Sequence, residues 1–141
     1  MIYDKHHPEC YSLLRRQCRI VISGSRNYND YHQFKETLQA YIQKLGIDSK
    51  DLVYIAGGAP SGADAHIERY CAENPDEHLI VYPADWDKFK KAAGFIRNIE
   101  MIDIATHLLA WWDIKSPGTR HAIDTAKDKS LRVKIHLIKV E

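Results

Sequence analysis

Residues 52–67 read LVYIAGGAPSGADAHI, and this stretch decides the fold class. Its first five residues are apolar and mostly β-branched or aromatic, which predicts a short buried strand. Gly57 and Gly58 interrupt the apolar run, and from Ala63 to Ile67 the apolar residues return at helical spacing. A strand that passes through a glycine-rich turn into a helix is the repeating unit of an α/β protein.

The same alternation repeats on both sides of this stretch. We predict strands at 19–23, 52–56, 78–82, 107–112 and 131–140, and helices at about 31–45, 63–74, 89–106 and 116–129. The strands are apolar throughout, as in a parallel sheet covered on both faces with right-handed crossovers. We therefore predict one α/β domain over residues 19–141, in three layers, with an open, mainly parallel five-stranded sheet and helices on both faces. Residues 1–18 are predicted to be an appendage, in which Pro8 begins a short helix through Leu14.

The composition limits the classes of function that this chain can have. The chain has 141 residues, the size of one domain, and 45% of them are apolar, which excludes a disordered chain. The 20 Lys and Arg nearly balance the 19 Asp and Glu, and a net charge of +1 argues against a dedicated nucleic-acid binder. The longest apolar runs, of about six residues, are too short to cross a membrane.

Neither the amino terminus nor the cysteines indicate secretion. Residues 1–18 lack the apolar core of a signal peptide, and Cys10, Cys18 and Cys71 have no C-x-x-C spacing. We therefore expect a cytoplasmic protein with reduced thiols. The eight histidines show no metal-ligand spacing, so we expect no metal.

The unusual residues follow the predicted strands. Ligands of an open parallel sheet bind beyond the carboxyl ends of its strands. Residues 57–64 place three glycines at a helix start, which suits a phosphate held by backbone N–H groups. The alternative is a tight turn in which Ser61 and Asp64 form a capping box. Residues 116–119 present a second such helix start, for which helix initiation by Ser116 and Pro117 is the alternative.

Arg97 is the sharpest single anomaly. It is the only charge in a helical stripe with Ala93, Met101 and Ile104. A guanidinium in an apolar stripe either reaches the rim or meets a buried anion, and a salt bridge to a carboxylate is the structural alternative. Arg26, which follows the first predicted strand, is the second candidate for contact with phosphate.

Aromatic residues cluster near the same strand ends. Trp111 and Trp112 point to opposite faces of the sheet, so one of them is a candidate for stacking on a base while the other fills the core. Trp86 and Tyr28 are equally placed to flank a base. For each of these side chains, packing in the core is the alternative.

Read in order, these segments form a recognisable series. They are Gly24-Ser25-Arg26, Gly57-Gly58-Ala59, Gly62-Ala63-Asp64, Tyr82-Pro83-Ala84-Asp85-Trp86, Ala93-Gly94, Arg97-Asn98 with Met101, and Gly118-Thr119. Over residues 19–138 the series resembles the YspA-like, YpsA-related branch of the SLOG superfamily, which groups the Smf/DprA proteins with the LOG cytokinin-activating enzymes. The resemblance implies a Rossmann-like fold and a pocket for nucleotide-derived ligands. For this branch it implies sensing or processing of NAD- and ADP-ribose-like molecules in bacterial and phage conflict.

Two motifs of the enzymatic LOG relatives are only partly kept. Their Arg-Lys-x-x-Met corresponds to residues 97–101, where Asn98 replaces the lysine. Their Pro-Gly-Gly-x-Gly-Thr-x-x-Glu corresponds to the segment ending at residues 118–122, where Ala122 replaces the glutamate. In those enzymes the arginine and glutamate support cleavage of the N-glycosidic bond. Alanine can neither stabilise an oxocarbenium-like ribose nor activate water, so the departure argues against hydrolysis while leaving the pocket intact.

Three functions stand as hypotheses. The leading one is a protein that senses or sequesters a nucleotide-derived small molecule of NAD or ADP-ribose type in a bacterial or phage setting. The alternative is an enzyme, a nucleotide N-glycosidase or phosphoribohydrolase, in which Arg97 positions phosphate and Asp64 or Asp85 is the catalytic carboxylate. A DprA-like single-strand DNA binder ranks third, because the near-zero net charge disfavours it.

The site and partners follow from these hypotheses. The expected ligand-binding residues are Gly24, Ser25, Arg26, Gly57, Gly58, Gly62, Ala63, Asp64, Trp86, Arg97, Asn98, Ser116, Gly118 and Thr119. We expect a homo-oligomer that binds a nucleotide-derived ligand, with no cofactor and with neither a membrane nor a nucleic acid as partner.

Overall fold

The computed structural model describes residues 1–139, so the end of the predicted last strand, at Val140, lies outside the described residues. The strands are β1 (Ile2–Asp4), β2 (Cys18–Gly24), β3 (Leu52–Ala56), β4 (Leu79–Val81), β5 (His107–Trp112) and β6 (Arg132–Leu137). The helices are α1 (Glu9–Leu13), α2 (Tyr31–Leu45), α3 (Gly62–Glu73), α4 (Trp86–Phe89), α5 (Ala93–Asp103) and α6 (Pro117–Asp128), with single 3-10 turns at Ser49–Asp51 and Lys90–Ala92.

The strands form one parallel sheet in the order β1-β4-β3-β2-β5-β6. The α/β prediction is confirmed, but the prediction of five strands is wrong because β1 adds a sixth at the edge, pairing Ile2 with Leu79. Three residues are too few to carry a periodic signal, so only the pairing with β4 identifies β1 as a strand. The division of the chain at residue 18 stays a prediction. The short helix predicted after Pro8 is present as α1.

Alternate residues of each central strand enter two separate cores. In β3, Tyr54 packs with the aromatic core under α2 and α3, which includes Phe34 and Trp111. Its neighbour Ile55 packs on the opposite face, with α1, α5 and α6. Because both faces of β3 are covered, all five of its residues are buried, which explains why the strand sequences are uniformly apolar.

The helix predicted over residues 89–106 is present only as α5 (Ala93–Asp103), because a 3-10 turn at Lys90–Ala92 separates it from the preceding helix α4. Asp85 caps α4, its Oδ1 accepting from the Lys88 N–H at 3.0 Å. The residue after α4, Lys90, has a φ of 54° in the left-handed region. Apolar spacing continues across the break, so periodicity alone does not register it. The break lies four residues before Gly94, where a weak point was expected.

Helix boundaries elsewhere follow local chemistry. Asp30 caps α2, its Oδ1 accepting from the Gln33 N–H at 3.0 Å, and Gly46 ends that helix with a φ of 67°. Ser116 is the cap residue of α6 and Pro117 is its first residue. Within residues 1–139, no helix combines the length and apolarity that a membrane span requires.

Candidate functional site

A cleft of about 350 Å³ lies beyond the carboxyl ends of β2, β3 and β5. The strands β2 and β5 are neighbours in the sheet, although two strands separate them along the chain, so the order of the sheet reverses between them. Such a reversal splays the following loops apart and forms the ligand crevice of open α/β sheets. Ten residues predicted from the sequence line the cleft: Gly24, Arg26, Gly57, Asp64, Trp86, Arg97, Asn98, Ser116, Gly118 and Thr119.

Five predicted residues do not line it, namely Ser25, Gly58, Gly62, Ala63 and Asp85. Ser25 is buried and joins two loops, because its Oγ accepts hydrogen bonds from the Asp113 N–H at 3.2 Å and from the Ser116 hydroxyl at 3.0 Å. Asp85 is exposed and caps α4. The cleft therefore brings together one of the two candidate catalytic carboxylates, Asp64, with Arg97.

The loop between β3 and α3 is held by backbone contacts. Gly62 has a φ of +72°, and a Cβ there would overlap the Ser25 carbonyl oxygen and lie 2.8 Å from the Arg26 Cα. Ser61 is the cap residue of α3 but makes no capping bond with its side chain. Asp64 instead accepts from the Ala59 N–H at 3.0 Å, so its carboxylate closes the loop rather than a capping box.

Asp64 faces the cleft in a partly desolvated position. Burial raises its pKa, while the hydrogen bond from Ala59 and the positive charge of Arg97 act in the opposite direction. A carboxylate with a raised pKa in a cleft is a candidate for proton transfer.

Arg97 reaches across the cleft from α5 to the end of β3. Its Nη1 donates to the Gly57 carbonyl at 3.0 Å, and its Nε donates to the Asn98 Oδ1 at 3.2 Å. Burial lowers its pKa, while Asp64 raises it and Arg26 lowers it, and a guanidinium stays charged throughout the physiological range. Among residues 1–139 the ion pairs do not include Arg97, so the alternative of a salt bridge is not realised. A full positive charge thus rests on neutral acceptors.

Asn98 connects α5 to α6. It is 6% exposed, and its Nδ2 donates to the Gly118 carbonyl at 3.2 Å and to the His121 Nδ1 at 3.3 Å. The two segments matched to the enzymatic motifs therefore meet. At the position of the enzymes' glutamate the second segment has Ala122, which carries no carboxylate and is fully buried in the core.

The aromatic wall of the cleft consists of Trp86 and Phe95, which are 51% and 45% exposed. Trp111 is buried, and its Nε1 donates to Thr37, so this side chain belongs to the core. Tyr28 is buried as well, and Trp112, whose Nε1 donates to the Ser116 carbonyl, does not line the cleft. Of the four candidates for stacking, the structure leaves Trp86 facing the cleft.

Phe95, Lys91 and His121 are among the residues near the cleft that sequence reasoning did not single out. Phe95 and Lys91 line it, and His121 stacks on Phe95 with ring centroids 4.3 Å apart. The sequence does offer a signal for Phe95, because it follows Gly94 on the helix that carries Arg97. His121 has no local signal, because its partner Asn98 lies 23 residues away.

The loop between β5 and α6 is built on Asp113. Its Oδ1 accepts from the N–H groups of Lys115 at 2.9 Å and Ser116 at 2.8 Å. Burial acts to raise the pKa of Asp113, but the hydrogen bonds from Ser116 and Lys115 outweigh it and lower the pKa to about 2. Past this turn, a Cβ at Gly118 would meet no atom within 4 Å.

In the part of the chain that the structure describes, no group of three or more His, Cys, Asp or Glu side chains is arranged to hold a metal ion. The expectation of a metal-free site stays a prediction.

Known proteins resemble this chain in sequence and in fold. The model of the YspA, cpYpsA-related SLOG family matches residues 18–89. Gene 61 protein of Mycobacterium phage D29 is 32% identical over 120 residues, which cover 82% of this chain and 93% of the phage protein.

Two solved structures share the fold. DNA processing protein A from Helicobacter pylori, described for its single-stranded DNA binding mode, has a TM-score of 0.62 and 18% identity over 88% of this chain and 67% of its own. DNA processing protein A from Streptococcus pneumoniae has a TM-score of 0.67 and 17% identity over 88% of this chain and 51% of its own. At these identities the likeness concerns the fold alone. From the family match and the phage relative, the chain belongs to the YspA, cpYpsA-related SLOG family.

Proposed function

We propose that the cleft binds a nucleotide-derived small molecule with anionic phosphates, of the NAD or ADP-ribose class, and that the protein senses or sequesters it. The observation that carries this proposal is the Arg97 guanidinium, a charge held on the Gly57 carbonyl inside the cleft without an ion-pair partner among residues 1–139. Arg26 and Lys91 also line the cleft, against the single carboxylate of Asp64 in its lining. An anion is the ligand that such a charge balance attracts.

Two further features support a nucleotide. The amino termini of α3 and α6, each of 12 residues, border the cleft, and free N–H groups at helix starts bind phosphate. The exposed rings of Trp86 and Phe95 offer a surface on which a base can stack. The volume of about 350 Å³ falls in the range of small-molecule sites, roughly 300–1,000 Å³.

The first experiment identifies the ligand. Purified protein is incubated with a mixture of AMP, NAD, ADP-ribose and cyclic ADP-ribose isomers, and the bound and free fractions are analysed by mass spectrometry. We expect one compound to be enriched intact in the bound fraction. Recovery of none of them above a heat-denatured control would contradict the proposal.

The second experiment tests the role of Arg97. Replacing Arg97 by Ala removes a charged hydrogen-bond donor, so affinity for the recovered compound should fall by about 10- to 150-fold, or roughly 1.5–3 kcal/mol. Arg15→Ala is the matched control, because Arg15 is exposed and lies just before β2, near the amino ends of the strands and away from the cleft. Equal affinities of the two variants would remove Arg97 from the site.

An enzymatic function is the second candidate, supported by the raised pKa of Asp64 in the cleft. In this reaction water would displace the base at the N-glycosidic carbon. The Asp64 carboxylate would accept a proton from the water and pass it to the departing base, which leaves as the neutral free base. Asp64→Asn should then abolish release of free base while binding is kept. Asp85→Asn is the control, since Asp85 caps α4 outside the cleft. Release of base that survives Asp64→Asn would exclude this mechanism.

DNA binding is tested in parallel, because one protein of similar fold is described for single-stranded DNA binding. The near-neutral charge of this chain disfavours that function. A mobility shift with single-stranded DNA that persists at physiological salt and is lost in Arg97→Ala would favour it over the nucleotide ligand. The relative encoded by a phage supports a setting of conflict or signalling between phage and bacterium. The proposed homo-oligomer is tested by light scattering.

A further inference from the structure

We infer that His121 is a positioning residue for Arg97: neutral His121 fixes the Asn98 amide, the amide fixes the Arg97 side chain in the cleft, and protonation of His121 releases it. The link from His121 to Arg97 stands on contacts within the protein. Its consequence for ligand affinity rests on the proposed function.

Every hydrogen-bonding group of the Asn98 side-chain amide has a partner in the protein. Its Nδ2 donates to the His121 Nδ1 at 3.3 Å and to the Gly118 carbonyl at 3.2 Å, which uses both N–H groups. Its Oδ1 is thereby turned toward Arg97 and accepts from the Nε at 3.2 Å. Because Asn98 is 6% exposed, water offers little replacement for a lost partner.

This arrangement requires one protonation state of His121. The Nδ1 can accept from Asn98 only while it carries a lone pair, so the ring is neutral with its proton on Nε2. Protonation would place a donor, the Nδ1–H of His121, opposite the Nδ2–H of Asn98. If the amide turned over to present Oδ1 to the imidazolium, its NH₂ group would face the Nε–H of Arg97. In the first arrangement two donors oppose each other between His121 and Asn98, which favours turning the amide over. In the second, Arg97 loses one of its two hydrogen bonds.

The surroundings of His121 set where it titrates. From α5 the Phe95 ring stacks on it at an interplanar angle of 17°, and from its own helix the Asp124 carboxylate acts on it. Burial lowers the pKa of His121 below the ordinary 6.5, while Asp124 acts to raise it. The release of Arg97 is therefore expected on the acid side of neutrality.

The decisive experiment needs no ligand. The Nε–H signal of Arg97, assigned by its loss in Arg97→Lys, is followed by NMR between about pH 5 and 8 together with the His121 ring. We expect the Arg97 signal to shift or broaden with the midpoint of the His121 titration. In His121→Gln, which can accept from Asn98 and does not titrate, the Arg97 signal should stay constant. An Arg97 signal that ignores the His121 titration, or that still titrates in His121→Gln, would overturn the inference.

Asp124→Asn provides a second variant. Asp124 is exposed and acts on His121 by charge, so its removal should move the midpoints of His121 and Arg97 downward together. Separate movement of the two midpoints would contradict the coupling.

The affinity readout distinguishes the two proposals. ADP-ribose affinity, measured by calorimetry, should fall about tenfold in the wild type as His121 becomes protonated and should stay level in His121→Gln. If ADP-ribose fails to bind at any pH, the proposed ligand is wrong, while the coupled titration of Arg97 and His121 still decides the inference.

Discussion

Two loops border the same cleft and differ in how they are held. The loop between β3 and α3 is fixed by packing: Gly62 lies directly against the backbone at Ser25, and Asp64 is tied to the Ala59 N–H. The loop between β5 and α6 is fixed by hydrogen bonds to the side chains of Asp113 and Ser25, and beyond them Gly118 faces open space. Glycine occurs in both loops, but only one of them requires it.

This difference separates structural from permissive positions in the site. The first loop cannot change without moving its neighbours, because the contacts are between backbones. The second loop can accept side chains at its mouth, which is where a ligand would enter. The predictions below test this contrast, from the largest expected effect to the smallest.

Gly62→Ala should destabilise the protein by about 3 kcal/mol. The added Cβ overlaps the Ser25 carbonyl oxygen, and the residue would keep a φ of +72° that alanine rarely adopts. Neither the backbone at Ser25 nor that at Arg26 can move aside cheaply. Urea unfolding measures the change, and a loss below about 0.5 kcal/mol would mean that the loop is not packed as described.

Gly57→Ala should weaken ligand binding about tenfold, or about 1.4 kcal/mol, with a smaller effect on stability. A Cβ at Gly57 would overlap the Arg97 guanidinium, which is the mobile end of a side chain and can move. The substitution therefore displaces Arg97 rather than the backbone. Calorimetry with the recovered nucleotide tests it. In an Arg97→Ala background the same substitution should change nothing further, and an additive loss would break the link.

Asp113→Ala should cost about 1 kcal/mol near neutral pH, a figure discounted for solvent screening. The pKa of Asp113 is about 2 in the folded protein, below the ordinary 3.8. Its contribution to stability is therefore present above 3.8 and is lost as pH falls through about 2. The difference in unfolding free energy between wild type and variant should shrink over that window. A difference that stays constant there would mean that the charge of Asp113 is not involved.

Gly118→Ala should change stability by less than about 0.5 kcal/mol. A Cβ at this position meets no atom within 4 Å, and the residue lies in the first turn of α6. It is the matched control for Gly62→Ala, since both exchange glycine for alanine at a helix start. A destabilisation similar to that of Gly62→Ala would erase the contrast between the two loops.

The sequence predicted the parts of this fold that repeat. The strands β3 and β5 have the predicted bounds, because an apolar run covered on both faces ends where glycine or a charged residue follows. The cap at Asp30 and the end at Gly46 follow from local hydrogen bonding and backbone conformation. The strand β1 and the break at Lys90 were not predicted, since neither leaves a periodic signal in three or four residues.

The candidate site shows the same division. Arg97 stands out in the sequence because it is a charged residue in an apolar helical stripe. The glycines of the loops indicate where the backbone can come close to another group. The sequence did not predict which of the candidate residues line the cleft. Gly62 packs beneath the loop, Trp111 enters the core and Asp85 caps a helix.

By itself the sequence determined the class of fold, the edge of the sheet at which the site lies and the family, since these depend on local pattern and on the order of motifs. Only the tertiary structure decided that Arg97 rests on neutral acceptors and that His121 reaches it through Asn98. Those contacts join residues up to 40 positions apart, and their geometry is fixed by the packing of α5 and α6 over the sheet. A sequence pattern does not predict such contacts, because hydrogen-bond partners are determined by which groups lie close together in the folded chain.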